Sequence, residues 1–165
     1  MSKGRKTVRD PVCGMAVAPG QHALVHLQME FAFCSEHCRA HFLAHPHLYI
    51  GYPGVPAARQ QGKSVLKRRR LQLSRPLSAE GASIVEAVLR ELMGVVQVSV
   101  AGEVIEISYD LLQVSADDIE VALTAAGVRL GQGWTERLQR ACTHQVEEWE
   151  IEGLEVIPPR RSDRR

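Results

Sequence analysis

Cysteine is scarce in this chain of 165 residues: four occur, too few for the disulfide framework of a small secreted domain. A secretory apolar segment is missing, and no apolar run approaches the roughly 18 residues that a membrane-spanning helix needs. These absences predict a soluble chain, cytoplasmic and without membrane insertion, in which cysteines at motif spacing serve as ligands more often than as disulfides. Excess charge of one sign is missing as well, since 20 basic residues stand against 19 acidic ones. Their placement is uneven. Residues 63–75 hold six basic side chains and no acid, including Lys67-Arg68-Arg69-Arg70, whereas 15 acidic residues face 4 basic ones between Leu77 and Glu155. No aromatic residue is interleaved with the basic run, and no zinc-finger or helix-turn-helix pattern accompanies it. Nucleic acid is therefore not an expected partner, and the run reads as a solvated strand entrance.

Composition breaks at Gly51-Tyr52-Pro53-Gly54-Val55-Pro56 and the following Ala57-Ala58-Arg59-Gln60-Gln61-Gly62, a turn-rich stretch. The break predicts a metal-binding module over 9–50, a linker over 51–63, a second domain over 64–132, an extension over 133–157 and a disordered tail over 158–165. The first piece is shorter than an apolar core alone usually sustains, which argues for a metal staple.

Cys13, Cys34 and Cys38 supply that staple. Asp10-Pro11-Val12-Cys13-Gly14-Met15 reads as a tight loop, with Gly14 letting backbone approach an ion held at Cys13. Ala23, Val25, Leu27, Met29, Phe31 and Phe33 fall on alternate positions, the period of a half-buried strand pair, with its turn expected at Gln28 to Glu30. Cys34 ends the second strand. Ser35 reads as the N-cap of a helix running to about Ala44 and stopping before Pro46, which places Cys38 in the first turn, where free backbone N–H groups and the helix dipole favour a thiolate. The three sulfurs then face one point. A cysteine nucleophile would need an oriented histidine base, and no such partner can be assigned, so an enzyme is not expected.

The fourth position stays open at this stage. His37, His41, His45 and His47 crowd the helix and its exit, and His22 and His26 share the polar face of the hairpin. His41, three residues after Cys38, ranks first; His37, His47, Met15 (for a cuprous ion) and an exogenous ligand or water are the alternatives.

Asp10 to Met15, then Phe31-Ala32-Phe33-Cys34-Ser35-Glu36-His37-Cys38, then Phe42, Pro46 and Tyr49 together resemble a YHS domain, one of the TRASH-like cysteine-rich metal-binding modules. That resemblance covers about residues 9 to 50. It implies a small treble-clef-like module with a hairpin and a helix, metal ligation by Cys13, Cys34 and Cys38, and an association with copper and heavy-metal transport, sensing or resistance. The family's usual tyrosine before the Phe-Cys element is Phe31 here, and its hairpin glycine is a non-glycine residue near Gln28.

The second module reads as strand, helix, strand, strand, helix, strand. Val65 to Leu73 is the first strand; Ser83 to Met93 is a helix with Ile84, Val88 and Leu92 on one stripe, stopped at Gly94. Val96, Val98 and Val100 alternate, as do Ile105, Ile107 and Tyr109, joined by a turn at Ala101-Gly102-Glu103. Ser115 and Asp118 form a capping box for a helix through Ala126, closed by Gly127, and Val128 to Leu130 is a short last strand. This order predicts an α+β, ferredoxin-like βαββαβ domain with two helices on one side of a four-stranded antiparallel sheet. With Gly81-Ala82-Ser83-Ile84-Val85-Glu86-Ala87-Val88-Leu89, it resembles the heavy-metal-associated domain of copper chaperones and metal-pumping ATPases. In that family a Met-x-Cys-x-x-Cys loop precedes the first helix; here Arg75, Leu77 and Glu80 stand at those positions, so the second domain is expected to be degenerate and without the cysteine pair.

Beyond it, Trp134 to Cys142 reads as a short helix with Trp134, Leu138 and Cys142 aligned, and Trp149, Ile151, Leu154 and Val156 as an added edge or partner-binding segment. Cys142 with His144 offers too few donors for an ion. The resulting expectation is a Zn(2+) or Cu(+) binding protein that buffers, delivers or senses metal, with a metal-transport or metal-resistance protein as partner. The alternative is a protein-interaction or homodimerisation module in which the ion is only structural.

Overall fold

The computed structural model describes residues 6–159. The described residues form two compact units, 6–63 with 152–159, and Ser64–Ile151. The expected tail from Arg160 onward lies outside the described residues. Among the described residues no helix is long and apolar enough to cross a membrane.

The first unit carries two short antiparallel ribbons, β1 (Val8–Arg9) with β2 (Ala16–Val17) and β3 (Leu24–His26) with β4 (Met29–Phe31), followed by α1 (Glu36–Ala44) and a 3-10 turn at Pro46–Leu48. Val12, Val17, Phe33, Phe42, Leu48 and Tyr49 fill its core, with Phe42 against Phe31 and Phe33 at ring separations of 4.8 and 5.3 Å. The β3–β4 hairpin corrects the expected facing. Its two turn residues are Leu27 and Gln28, with φ of 50° and 63°, so His26 pairs with Met29 and Leu24 with Phe31. A two-residue turn pairs each even position with an odd one. Odd positions on the two strands therefore cannot share a face, and Val25 and Leu27, expected to be half-buried, are 67% and 64% exposed. Because a left-handed conformation costs an L-residue about 1–2 kcal/mol, replacing Gln28 with glycine is expected to raise the stability of this unit by about 0.5–1 kcal/mol once glycine's greater freedom in the unfolded chain is deducted. Chemical denaturation of Gln28→Gly checks it.

The stretch 51–63, expected to be a linker, packs onto this unit. Ala57 and Ala58 are buried, and the Arg59 amide donates to the Leu48 carbonyl at 2.9 Å. At Gly51 a Cβ would lie 2.1 Å from the Val55 carbonyl oxygen, so the turn admits no side chain there.

The second unit contains β5 (Leu66–Gln72), α2 (Ala79–Arg90), β6 (Val95–Ala101), β7 (Val104–Asp110), α3 (Ala116–Ala125) and, as far as Ile151, α4 (Trp134–Leu154). Its sheet is antiparallel and three-stranded, in the order β5-β7-β6. Ile105, Ile107 and Tyr109 are buried as their alternation predicts, together with Val98, Leu89, Ile119 and Leu123. The Ser115–Asp118 capping box forms, and Gly127 closes α3 at φ 79°. Three expectations are corrected. Helix α2 begins at the Ser78 cap, whose hydroxyl accepts from the Gly81 amide, and it buries Val85 and Leu89 against the sheet side while Ile84 is 55% exposed. Val128 to Leu130 makes no strand, only a bridge between Leu73 and Leu130, so the order is βαββαα and follows the ferredoxin-like sequence up to its last strand. Finally, α4 runs on to Leu154: Trp149, Ile151 and Leu154 belong to this helix instead of an added edge, with Ile151 buried and Trp149 exposed. The glutamates between them explain that outcome, since Glu147 and Glu150 recur at helical spacing and meet Arg69 and Lys67 on β5.

Candidate metal centre

Three chain segments converge at the site. The turn after β1 brings Cys13, the end of the second ribbon brings Cys34, and the first turn of α1 brings Cys38. Ser35 fixes the last of these: its extended backbone (φ −154°) starts the helix, and its hydroxyl accepts from the Cys38 amide. Cys13 Sγ lies 3.6 Å from Cys34 Sγ, and Cys34 Sγ lies 3.5 Å from Cys38 Sγ. All three are free thiols. Donors about 2.3 Å from a tetrahedral ion stand about 3.8 Å apart, so these sulfurs already sit near ligand spacing.

The fourth member is Asp10. Its carboxylate and the three sulfurs all lie within 4.8 Å of one another. None of the histidines proposed for the fourth position joins this group. His41 Nδ1 is hydrogen-bonded to the Tyr49 hydroxyl at 2.8 Å, and the His37 ring lies tilted against His41, 5.7 Å between centroids. His47 has both nitrogens engaged, by the Ile50 carbonyl and the Tyr52 hydroxyl. Met15 is 45% exposed. Sequence reasoning placed Asp10 in the loop and missed its role. The available signal was an acidic residue three positions before Cys13, the spacing of a side chain that turns back onto following amides.

Asp10 ties the Cys13 and Cys34 loops together. One carboxylate oxygen accepts from the amides of Val12 (2.8 Å) and Cys13 (3.3 Å), and the other from the amide of Cys34 (2.8 Å). Burial opposes its charge, but the Cys34 and Val12 amides outweigh that and hold the carboxyl below its ordinary range. Cys13 is drawn down to about 7, first by the hydrogen bond from Cys38, whereas burial pushes Cys34 up to about 11. Cys38 is raised, because Cys13 holds its proton and because it is buried.

Thiolates with one carboxylate suit a transition ion such as Cu(I) or Zn(II). The chain is a heavy-metal-binding protein. No family model matches it. Over 45 residues it is 51% identical to a copper-transporting P-type ATPase of Rhizobium leguminosarum bv. viciae, a stretch that is 26% of this chain and 5% of that protein. It is also similar, at 23% identity and a TM-score of 0.39, to the solved N-terminal soluble domains of Bacillus subtilis CopA, covering 41% of this chain and 48% of that one.

These comparisons correct the family reading. The YHS (TRASH-like) assignment has no matching family model, and the curated match is to a copper ATPase. The description of the chain as such a module followed by a degenerate heavy-metal-associated domain is not upheld; what stands is an Asp10/Cys13/Cys34/Cys38 cluster in a chain of which 45 residues are 51% identical to a copper-transporting ATPase. No separate treble-clef module is shown. The physical reason is that Cys-Gly-Met and Phe-Cys-Ser-x-x-Cys spacings report the geometry a thiolate site demands, which unrelated families can share. The chain spans about 5% of the ATPase it matches, and none of that protein's pumping is assigned to it.

Proposed function

We propose that Cys13, Cys34 and Cys38 ligate a single soft ion, with Asp10 holding their loops in place, and that the chain handles copper by buffering, delivering or sensing it. The convergence of three sulfurs within 3.6 Å steps carries this reading. Three thiolates satisfy Cu(I), which favours soft donors and low coordination number, while Zn(II) would recruit the Asp10 carboxylate or an exogenous ligand as a fourth. A copper-transporting ATPase is the partner that the 45-residue likeness suggests, and free thiols at this spacing suit the reducing cytoplasm. The test is anaerobic competition between the reduced chain and chelators of graded affinity for Cu(I) and for Zn(II), with native mass spectrometry reading occupancy. One equivalent of Cu(I) held more tightly than Zn(II), and yielded to a chelator without unfolding of the second unit, is the expected result. An ion that leaves only when the first unit unfolds would assign it a structural role instead.

The pH dependence follows from the thiols. At neutral pH without an ion, Cys34 and Cys38, both raised, hold their protons, and Cys13, drawn down by the hydrogen bond from Cys38, is the sulfur that ionises first. A metal must displace those protons, so affinity rises with pH: release of about two protons gives roughly a 100-fold gain per pH unit near pH 7. Chelator competition between pH 6 and 8 measures the slope.

A further inference from the structure

The three-stranded sheet leaves one side of β5 without a strand. Gln72 shows which backbone groups point that way, because its carbonyl accepts from the Gly131 amide, while the Leu73 amide donates toward the β7 side at Glu103 and the Val65 carbonyl accepts from Leu111. Alternation along the strand then turns the amides and carbonyls of Arg68 and Arg70 outward and pairs those of Lys67, Arg69 and Leu71 with β7. Among the described residues nothing bonds to the outward groups of Arg68 and Arg70. A cavity of about 230 Å³ runs beside them, lined by residues 68–72 of β5 and by Ala116, Glu120, Leu130, Glu136 and Arg140 among others.

The charge along this edge selects what can pair with it. Four arginines line the groove against two glutamates. Arg69 is tied to Glu147 and Arg140 to Glu120, and Arg68 meets Glu106 at 3.5 Å, whereas Arg70 has no ion pair among the described residues. The Arg69 Nε is buried without a partner. A second copy of β5 would set Lys67-Arg68-Arg69-Arg70 against itself, and like charges directly opposite one another destabilise a strand pair. The chain's own Pro158-Pro159-Arg160-Arg161 segment is basic too and starts with residues that cannot donate. Nucleic acid would use the arginine charge but not the outward amides, and lacks aromatic platforms here.

We propose that the free edge of β5 takes an extended acidic segment of a partner protein as a fourth strand, its backbone paired with Arg68 and Arg70 and its carboxylates set against the exposed side chains of Arg68 and Arg70. This surface is separate from the metal cluster and stands whatever ion the cluster holds.

The test uses the full chain and a synthetic eight-residue peptide of alternating glutamate and valine. Saturable binding is expected, with hydrogen exchange at the Arg68 and Arg70 amides slowed at least tenfold, while Lys67, Arg69 and Leu71, already paired, change little. Arg70→Glu should weaken binding at least tenfold and Arg70→Gln less, both variants retaining the wild-type circular dichroism spectrum because the side chain is exposed. A lysine-valine peptide should not bind. Absence of saturable binding, binding that leaves the Arg68 and Arg70 amides unprotected, or equal protection by a single-stranded oligonucleotide would each overturn the proposal.

Discussion

Replacing Cys34 with serine is expected to abolish binding of the soft ion under conditions where the unaltered chain holds one equivalent. Cys34 is the middle sulfur, 3.6 Å from Cys13 and 3.5 Å from Cys38, so its loss leaves a pair of thiols with no bridging donor. A serine hydroxyl is a hard, weakly acidic oxygen and cannot stand in for a thiolate on Cu(I). The fall in affinity should reach at least 1,000-fold, on the order of 4 kcal/mol, and native mass spectrometry of anaerobically purified protein reads it directly. Full metal retention by the Cys34→Ser chain, or by the triple substitution of Cys13, Cys34 and Cys38, would sink the ligand assignment. Cys142→Ser supplies the control. That thiol is exposed, and its neighbour His144 is engaged by Glu120 at 3.0 Å, so occupancy should be unchanged.

The second large effect concerns folding of the other unit. Glu147 on α4 is almost fully buried, and three groups depend on it: its carboxylate accepts from the Tyr109 hydroxyl, from Arg69 Nη2 at 3.2 Å and from the Ala116 amide at 2.8 Å. The last is an N–H at the start of α3 that no residue of that helix can satisfy, so Glu147 also places negative charge at the positive end of the α3 dipole. Burial, with Glu147 beside it, raises the Tyr109 pKa and keeps the phenol a donor. Glu147→Ala should strand a half-buried guanidinium, a buried hydroxyl and a buried amide together, at a cost of about 3 kcal/mol. Glu147→Gln, which keeps an acceptor oxygen, should lose roughly half of that. Urea denaturation followed by circular dichroism decides the matter, and a loss below about 1 kcal/mol for the alanine variant would show that this network contributes little.

Local chemistry made much of this legible in advance. Ser35, Ser115 with Asp118, and Gly127 each carry their instruction within four residues, and the helix ends they mark stand where the residues predict. The sulfurs were legible for the same reason, since Cys34 and Cys38 are joined by a capped turn. What escaped depends on pairing between distant segments. The hairpin face turned on whether one residue pair or the next formed the turn, and a one-residue difference reverses every side chain. The two-residue strands β1 and β2 have no periodicity to detect. Asp10 is read as a loop former until Cys34, 24 residues on, presents its amide. Leu130 has the composition of a strand, but the chain leaves after a single bridge and α4 provides the groups that meet Lys67 and Arg69.

The exposed Cys142 has a practical consequence. Once an ion engages the cluster, its sulfurs react more slowly with electrophiles, and the exposed α4 thiol, Cys142, becomes the fastest-reacting cysteine. Maleimide labelling of the loaded protein would attach one dye, on α4, and labelling after metal removal would attach more. Stoichiometry of the dye thus becomes an optical gauge of occupancy that needs no mutation.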